Sequence, residues 1–178
     1  MRAWLVTSTA YGTWLLGDPR GFVGRIRDGS GRPEKNNAFG EPYDADLPPL
    51  ARASRAALKS DPIKLTKAQA KVLLNQFRET AQLRCWALLA VAVMGNHFHA
   101  VVAAADDVPG VRILGDLKGY GSRALNGQWP KPVGRGWWTR SGSARPLRDL
   151  AAVEQAIEYV LRQEFPLVTW RGPSIEMD

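Results

Sequence analysis

The sequence predicts an α+β sandwich, an antiparallel sheet with helices packed on one face. Three observations carry that expectation. Two apolar runs, Trp86–Val93 and Ala100–Ala104, lie close on either side of a short Gly95-Asn96 turn and read as an antiparallel hairpin. Segments with helical apolar spacing precede and follow that hairpin. A strand-like alternation opens the chain at Arg2–Ser8.

In that first strand Ala3, Leu5 and Thr7 alternate with Trp4, Val6 and Ser8, the period-two pattern of side chains on opposite faces. From Tyr11 to Pro62 the chain is rich in Gly, Pro, Asp and Asn and holds no steady period. It reads as a long irregular insertion at about residues 17–62, with Gly17-Asp18-Pro19-Arg20-Gly21 as its first turn and a short helix from about Leu50 to Leu58. Thr66 is placed to cap a helix to about Leu83, with Ala70, Leu73, Leu74, Phe77 and Ala81 inward and Lys67, Lys71, Arg78 and Glu79 outward. After the hairpin, a helix from about Val111 to Leu125 turns Leu114, Leu117 and Leu125 inward. Trp137–Leu147 reads as a short strand or strand-like arm bent at Ser141-Gly142-Ser143. A last helix, about Asp149 to Gln163, carries the stripe Val153, Ile157, Val160 and Leu161. The order β-α-β-β-α-β-α is that of a ferredoxin-like sandwich. With no internal repeat, residues 1–178 read as one domain.

Bulk properties narrow the class. An apolar fraction of 45% and a charged fraction of 23% are ordinary for a globular protein. No apolar stretch approaches the ~20 residues that cross a bilayer. The opening Met1–Val6 is too short for a signal peptide, and the single Cys85 excludes an internal disulfide and a cysteine-based zinc site. A reduced, cytoplasmic protein is the expectation, with no membrane partner. The net charge of +7 is uneven: between Val111 and Arg171, ten Lys/Arg face five Asp/Glu. The same stretch holds Trp129, Trp137, Trp138 and Trp170. Cations that meet phosphates, interleaved with rings that stack on bases, suit a nucleic-acid surface.

The chemistry centres on the only two histidines. His97 and His99 flank Phe98 at the start of the second hairpin strand, so both imidazoles share one face and Phe98 points into the opposite layer. Two imidazoles so placed can hold a divalent cation, and can equally be ordinary strand residues with satisfied ring nitrogens. On the last helix Tyr159 and Gln163 are four apart and stack on one face, away from the Val153/Ile157/Val160 stripe. The small Ala152 and Ala156 leave room for close approach.

His97-Phe98-His99 between two apolar strands, followed about sixty residues later by Glu158-Tyr159-Val160-Leu161-Arg162-Gln163, resembles the single-tyrosine HUH transposases. The branch it resembles most is the REP-associated tyrosine transposases and their insertion-sequence relatives. Tyr11–Gly21 and Trp137–Ser143 are also similar to blocks in some of these proteins, and the likeness is weakest from about Phe22 to Pro62. Gly95 departs from the family, which commonly has proline before Asn-His. The resemblance implies a central HUH hairpin with His97, His99 and, through its amide oxygen, Gln163 as metal ligands, and Tyr159 as nucleophile. It implies Mg²⁺ or Mn²⁺ as cofactor and single-stranded or hairpin DNA as partner. It further implies cleavage and rejoining through a 5′-phosphotyrosine, by a monomer or a homodimer.

Tyr120, in Lys118-Gly119-Tyr120-Gly121-Ser122-Arg123, is the rival nucleophile, although four residues on stands Ala124, which cannot bind a metal. Lys118, Ser122 and Arg123 read as phosphate contacts, with Arg140 and Arg162 as further nucleic-acid contacts. Two other functions stay open. One is a non-catalytic, domesticated module that binds hairpins. The other is a metal-dependent phosphoesterase with water as nucleophile, disfavoured because no acid-rich cluster accompanies the histidines.

Overall fold

The structure is a computed structural model that describes residues 1–18, 24–27, 33–36, 47–134 and 136–173. Along the chain run β1 (Arg2–Thr9), β2 (Gly24–Arg27), β3 (Pro33–Asn36), α1 (Pro48–Ala56) and α2 (Lys67–Leu83). There follow β4 (Ala87–Val93), β5 (His97–Ala104), α3 (Gly110–Asn126), β6 (Ser143–Leu147), α4 (Leu150–Leu161) and β7 (Val168–Arg171). The main sheet has the order β6-β1-β5-β4-β7, with every neighbouring pair antiparallel. Its first four strands reproduce the ferredoxin-like arrangement expected from the βαββαβ order. The fifth, β7, adds an outer strand beside β4, with Val91 opposite Trp170.

Side-chain parity divides the core in two. On one face Val6, Val91, Val93, Phe98, Ala100 and Val102 pack with Leu73 and Phe77 of α2 and Ile113, Leu117 and Leu125 of α3. Phe98 is the hub, 4.8 Å from the Phe77 ring and 5.2 Å from the Trp138 ring. At Gly121 a Cβ would meet Leu73 Cδ2 at 2.9 Å, so the missing side chain lets α3 lie close against α2. On the other face Ala90, Ala92, Val101 and Ala103 pack with Val153, Ala156 and Val160 of α4.

The expectation that all helices share one face is therefore corrected: α2 and α3 cover one side, and α4 covers the other. The physical reason is visible in β4 and β5, where every residue from Leu88 to Val93 and from Phe98 to Ala104 is buried. A strand apolar at both parities needs a layer on each side.

The helix boundaries follow from local chemistry. Thr66 accepts from the Gln69 amide while the Gln69 side chain accepts from the Thr66 amide, a reciprocal cap for α2. Asp149 Oδ1 accepts from Ala152 N at 2.7 Å and starts α4. The region expected to be irregular contains α1 and a ribbon in which Gly24 faces Asn36 and Arg27 faces Pro33. Strands of four residues are too short to show a period. The turn expected at Gly17–Gly21 is described only as far as Asp18, and the rest lies outside the described residues.

Candidate active site

The site forms where β5 begins. Antiparallel pairing sets Thr7 opposite His99 and Thr9 opposite His97, so these side chains share the α4 face. The two imidazole rings lie 4.9 Å apart, nearly edge to face. Each has an oriented Nδ1. That of His97 is 2.6 Å from Asn96 Oδ1, an acceptor, so Nδ1 carries the proton and Nε2 the lone pair. That of His99 is 2.6 Å from Thr7 Oγ1. With Nδ1–H donating to Thr7, His99 also presents Nε2.

His99 is buried, and that burial, reinforced by neighbouring His97, pushes its pKa down to about 3. It is thus a neutral imidazole at any physiological pH.

Helix α4 brings Tyr159 to this pair. Val153, Ala156 and Val160 point into the sheet, which leaves Tyr159 half-exposed at the edge of the packed face. Its ring lies 5.2 Å from that of His99, and its hydroxyl is 3.5 Å from His99 Nε2. Gln163 follows one turn later, just past the helix end, where its Nε2 donates to the Tyr159 carbonyl at 3.0 Å. This bond commits the amide nitrogen, so the amide oxygen is the atom of this side chain that could face a cation. Tyr159 and Gln163 line one open depression of about 880 Å³ on the outer side of α4, together with Glu154, Glu158, Arg162 and Glu164. Glu158 is bridged by Arg162 at 3.3 Å and by Arg171 of β7 at 3.6 Å.

Two imidazole nitrogens on one face are donors that suit a divalent cation, and oriented Nδ1 atoms are the contacts that metal-ligating histidines use. Among the described residues no group of three or more His, Cys, Asp or Glu gathers that could hold a metal.

The remaining candidates lie elsewhere. Tyr120 is on α3, across the sheet from the histidines, where Arg84 donates to its hydroxyl at 3.3 Å and Arg123 lies 4.2 Å above its ring. Lys118, expected at a phosphate, is instead a tie: its ammonium donates to the carbonyls of Thr139, Arg140 and Ser141 at 2.7, 3.3 and 3.1 Å. Three N–H donors meet three acceptors, and partial burial lowers its pKa. In return the Trp138 indole donates to the Lys118 carbonyl at 3.2 Å. Ser122 and Arg140 line the groove between α3 and this arm.

Lys118→Met is expected to lower stability by about 2–3 kcal/mol, since bonds to a charged donor are the strong ones. Urea denaturation of the two proteins measures it. A lysine that met only phosphate would leave the midpoint unchanged.

The sequence reading missed Thr7. Its signal was the pairing itself, because residues facing a histidine across two antiparallel strands share its face, but the register could not be counted from the chain.

A family description of IS200-like transposases matches residues 60–163, a span that runs from ahead of α2 to Gln163. The chain belongs to the IS200-like transposase family. No curated protein matches it by sequence. Among solved structures, this IS200-like transposase is similar to a REP-associated tyrosine transposase bound to a REP hairpin. The TM-score is 0.50 at 11% identity, over 89% of this chain and 64% of that one. This likeness concerns the fold, and the chain spans somewhat less than two thirds of that protein's length. No helix among the described residues is long and apolar enough to cross a membrane.

Proposed function

We propose that this IS200-like transposase cleaves and rejoins single-stranded DNA at hairpin-associated sequences, with Tyr159 as nucleophile. The observation that carries the reading is the approach of the Tyr159 hydroxyl to within 3.5 Å of His99 Nε2, across sixty residues of chain. The REP hairpin in the structural neighbour supports a DNA hairpin as partner. Tyr159 reaches the histidines of its own chain, which supports action in cis.

In the forward step the Tyr159 oxygen bonds to the scissile phosphorus while the bond from phosphorus to the 3′ oxygen breaks. The phenol proton passes to water and the departing oxygen gains one, leaving a 5′-phosphotyrosine and a free 3′-OH. Attack by a 3′-OH on that linkage reverses the chemistry without an external energy source. His99 is too weakly basic to take the phenol proton, because burial holds its pKa at about 3. Its part is to offer a lone pair and to orient. Mg²⁺ or Mn²⁺ held by His97, His99 and Gln163 would neutralise phosphate charge and align the group for in-line attack.

Thr7 is a positioning residue in this scheme. Thr7→Val removes the partner of His99 Nδ1 and keeps the volume. It is expected to weaken Mn²⁺ affinity about 10- to 100-fold, while Thr7→Ser retains it. Titration of the DNA-free protein with Mn²⁺, followed by electron paramagnetic resonance, reads this directly. Equal affinities in Thr7→Val and the unaltered protein would remove Thr7 from the site. The reading as a whole is tested by incubating the protein with Mn²⁺ and end-labelled hairpin DNA from beside its gene, then looking for covalent attachment on a denaturing gel. A hydrolase would cleave without attachment, and a binding module would do neither.

A further inference from the structure

Phe165 is the most exposed of the large apolar side chains among the described residues, at 90%. It sits in the turn from α4 to β7, two residues after Gln163 and directly after Glu164, which lines the depression beside Tyr159. Its backbone is left-handed, with φ at +53°, a conformation that suits glycine or asparagine and opposes an aromatic residue. Pro166 restricts it further. The turn is anchored on both sides, by Arg162 N to Glu158 O at 2.9 Å and by Leu167 N to Val93 O at 2.9 Å. A large apolar ring is therefore held out in water, in a costly backbone state, one residue along the chain from the rim of the depression that Tyr159 lines. Among the described residues no ring contact or core cluster includes it.

We propose that Phe165 is a stacking platform for an unpaired nucleobase of the DNA strand that enters the Tyr159 site. The inference rests on the functional reading above and adds a binding contact to it. Electrostatics favour a base over a phosphate at this position. Glu164 is adjacent, Glu154 and Glu158 line the same depression, and Arg162, the one cation lining it among the described residues, is engaged by Glu158. Carboxylates repel phosphate, whereas an aromatic face accepts any base, since each has a π-face.

The test measures equilibrium binding in the Tyr159→Phe background, which prevents covalent trapping. The probe is a fluorescent oligonucleotide that carries a hairpin and its single-stranded flanks from beside the gene. Phe165→Gly accepts the left-handed backbone and should fold at least as well as the parent. It is expected to bind about 5- to 150-fold more weakly, the range for one base–aromatic stack, while Phe165→Trp binds as the parent does. A scan of single abasic sites along the flank should then find one position at which the Phe165→Gly penalty vanishes.

Equal affinity of Phe165→Gly and its parent would overturn the proposal, as would a penalty that persists at every abasic position. Loss of self-association in Phe165→Gly, seen by sedimentation with DNA affinity unchanged, would assign the ring to a contact between copies and also overturn it. The transposase reading fails separately, by absence of a covalent adduct with the unaltered protein.

Discussion

Tyr159→Phe is expected to abolish covalent attachment of DNA, leaving less than a thousandth of the adduct formed by the unaltered protein. The substitution removes one oxygen and keeps the ring against His99, where the centroids lie 5.2 Å apart. Without that oxygen no ester to phosphorus can form, and a neighbouring water does not restore the same product. Hairpin binding should persist, since the ring remains and no charged side chain is altered. Tyr120→Phe is the paired control. Tyr120 lies on α3, across the sheet from the histidines, and its hydroxyl takes part in a contact with Arg84. Its adduct yield should match the unaltered protein. A denaturing gel with labelled hairpin DNA and Mn²⁺ separates the outcomes: loss in Tyr120→Phe with retention in Tyr159→Phe would reverse the assignment.

The second large effect is on stability against pH. His99 is 7% exposed, and burial holds its pKa at about 3 in the folded chain, against 6.5 when unfolded. Below pH 6.5 the unfolded chain takes up a proton that the folded chain refuses, so acid favours unfolding. The stabilisation is complete above pH 6.5 and is lost as pH falls toward 3. Between pH 7.5 and pH 5 this one group should cost about 2 kcal/mol. The upper part of the window is chosen because most carboxylates still hold their charge there. Urea denaturation at both pH values measures the loss, and His99→Gln should flatten it. A pH-independent midpoint in the unaltered protein would show that His99 charges in place.

Much of the site was legible because it depends on short-range periodicity. Parity along one strand placed His97 with His99 and Phe98 behind them. The helical wheel set Tyr159 off the apolar stripe, where the structure has it half-exposed. What depends on register between distant strands was not legible. Thr7 meets His99 across ninety-two residues, and only the β1–β5 pairing reveals it. Lys118 reads as a surface cation on its helix, yet the arm at 139–141 folds over it and takes all three donors. Val168–Arg171 offers four alternating residues, too few to announce a strand without β4 beside it. The misplaced α4 is a different kind of error. The unbroken apolarity of Leu88–Val93 and Phe98–Ala104 implies cover on both faces, which the element order by itself does not show.

The two faces differ in what fills them. Phe77, Phe98, Trp86, Trp137 and Trp138 crowd the α2/α3 side, while Ala3, Ala90, Ala92, Ala103 and Ala156 make up much of the α4 side. Small residues bring the α4 backbone near the sheet, which is how a tyrosine on it reaches a strand histidine. They also bury less apolar surface, and stabilisation scales with that area. Helix α4 is consequently held by the thinner layer and would lift at a lower free energy than the α2/α3 layer. The proposed nucleophile thus rides on the more weakly held of the two helical layers, above the buried strand that bears the histidines.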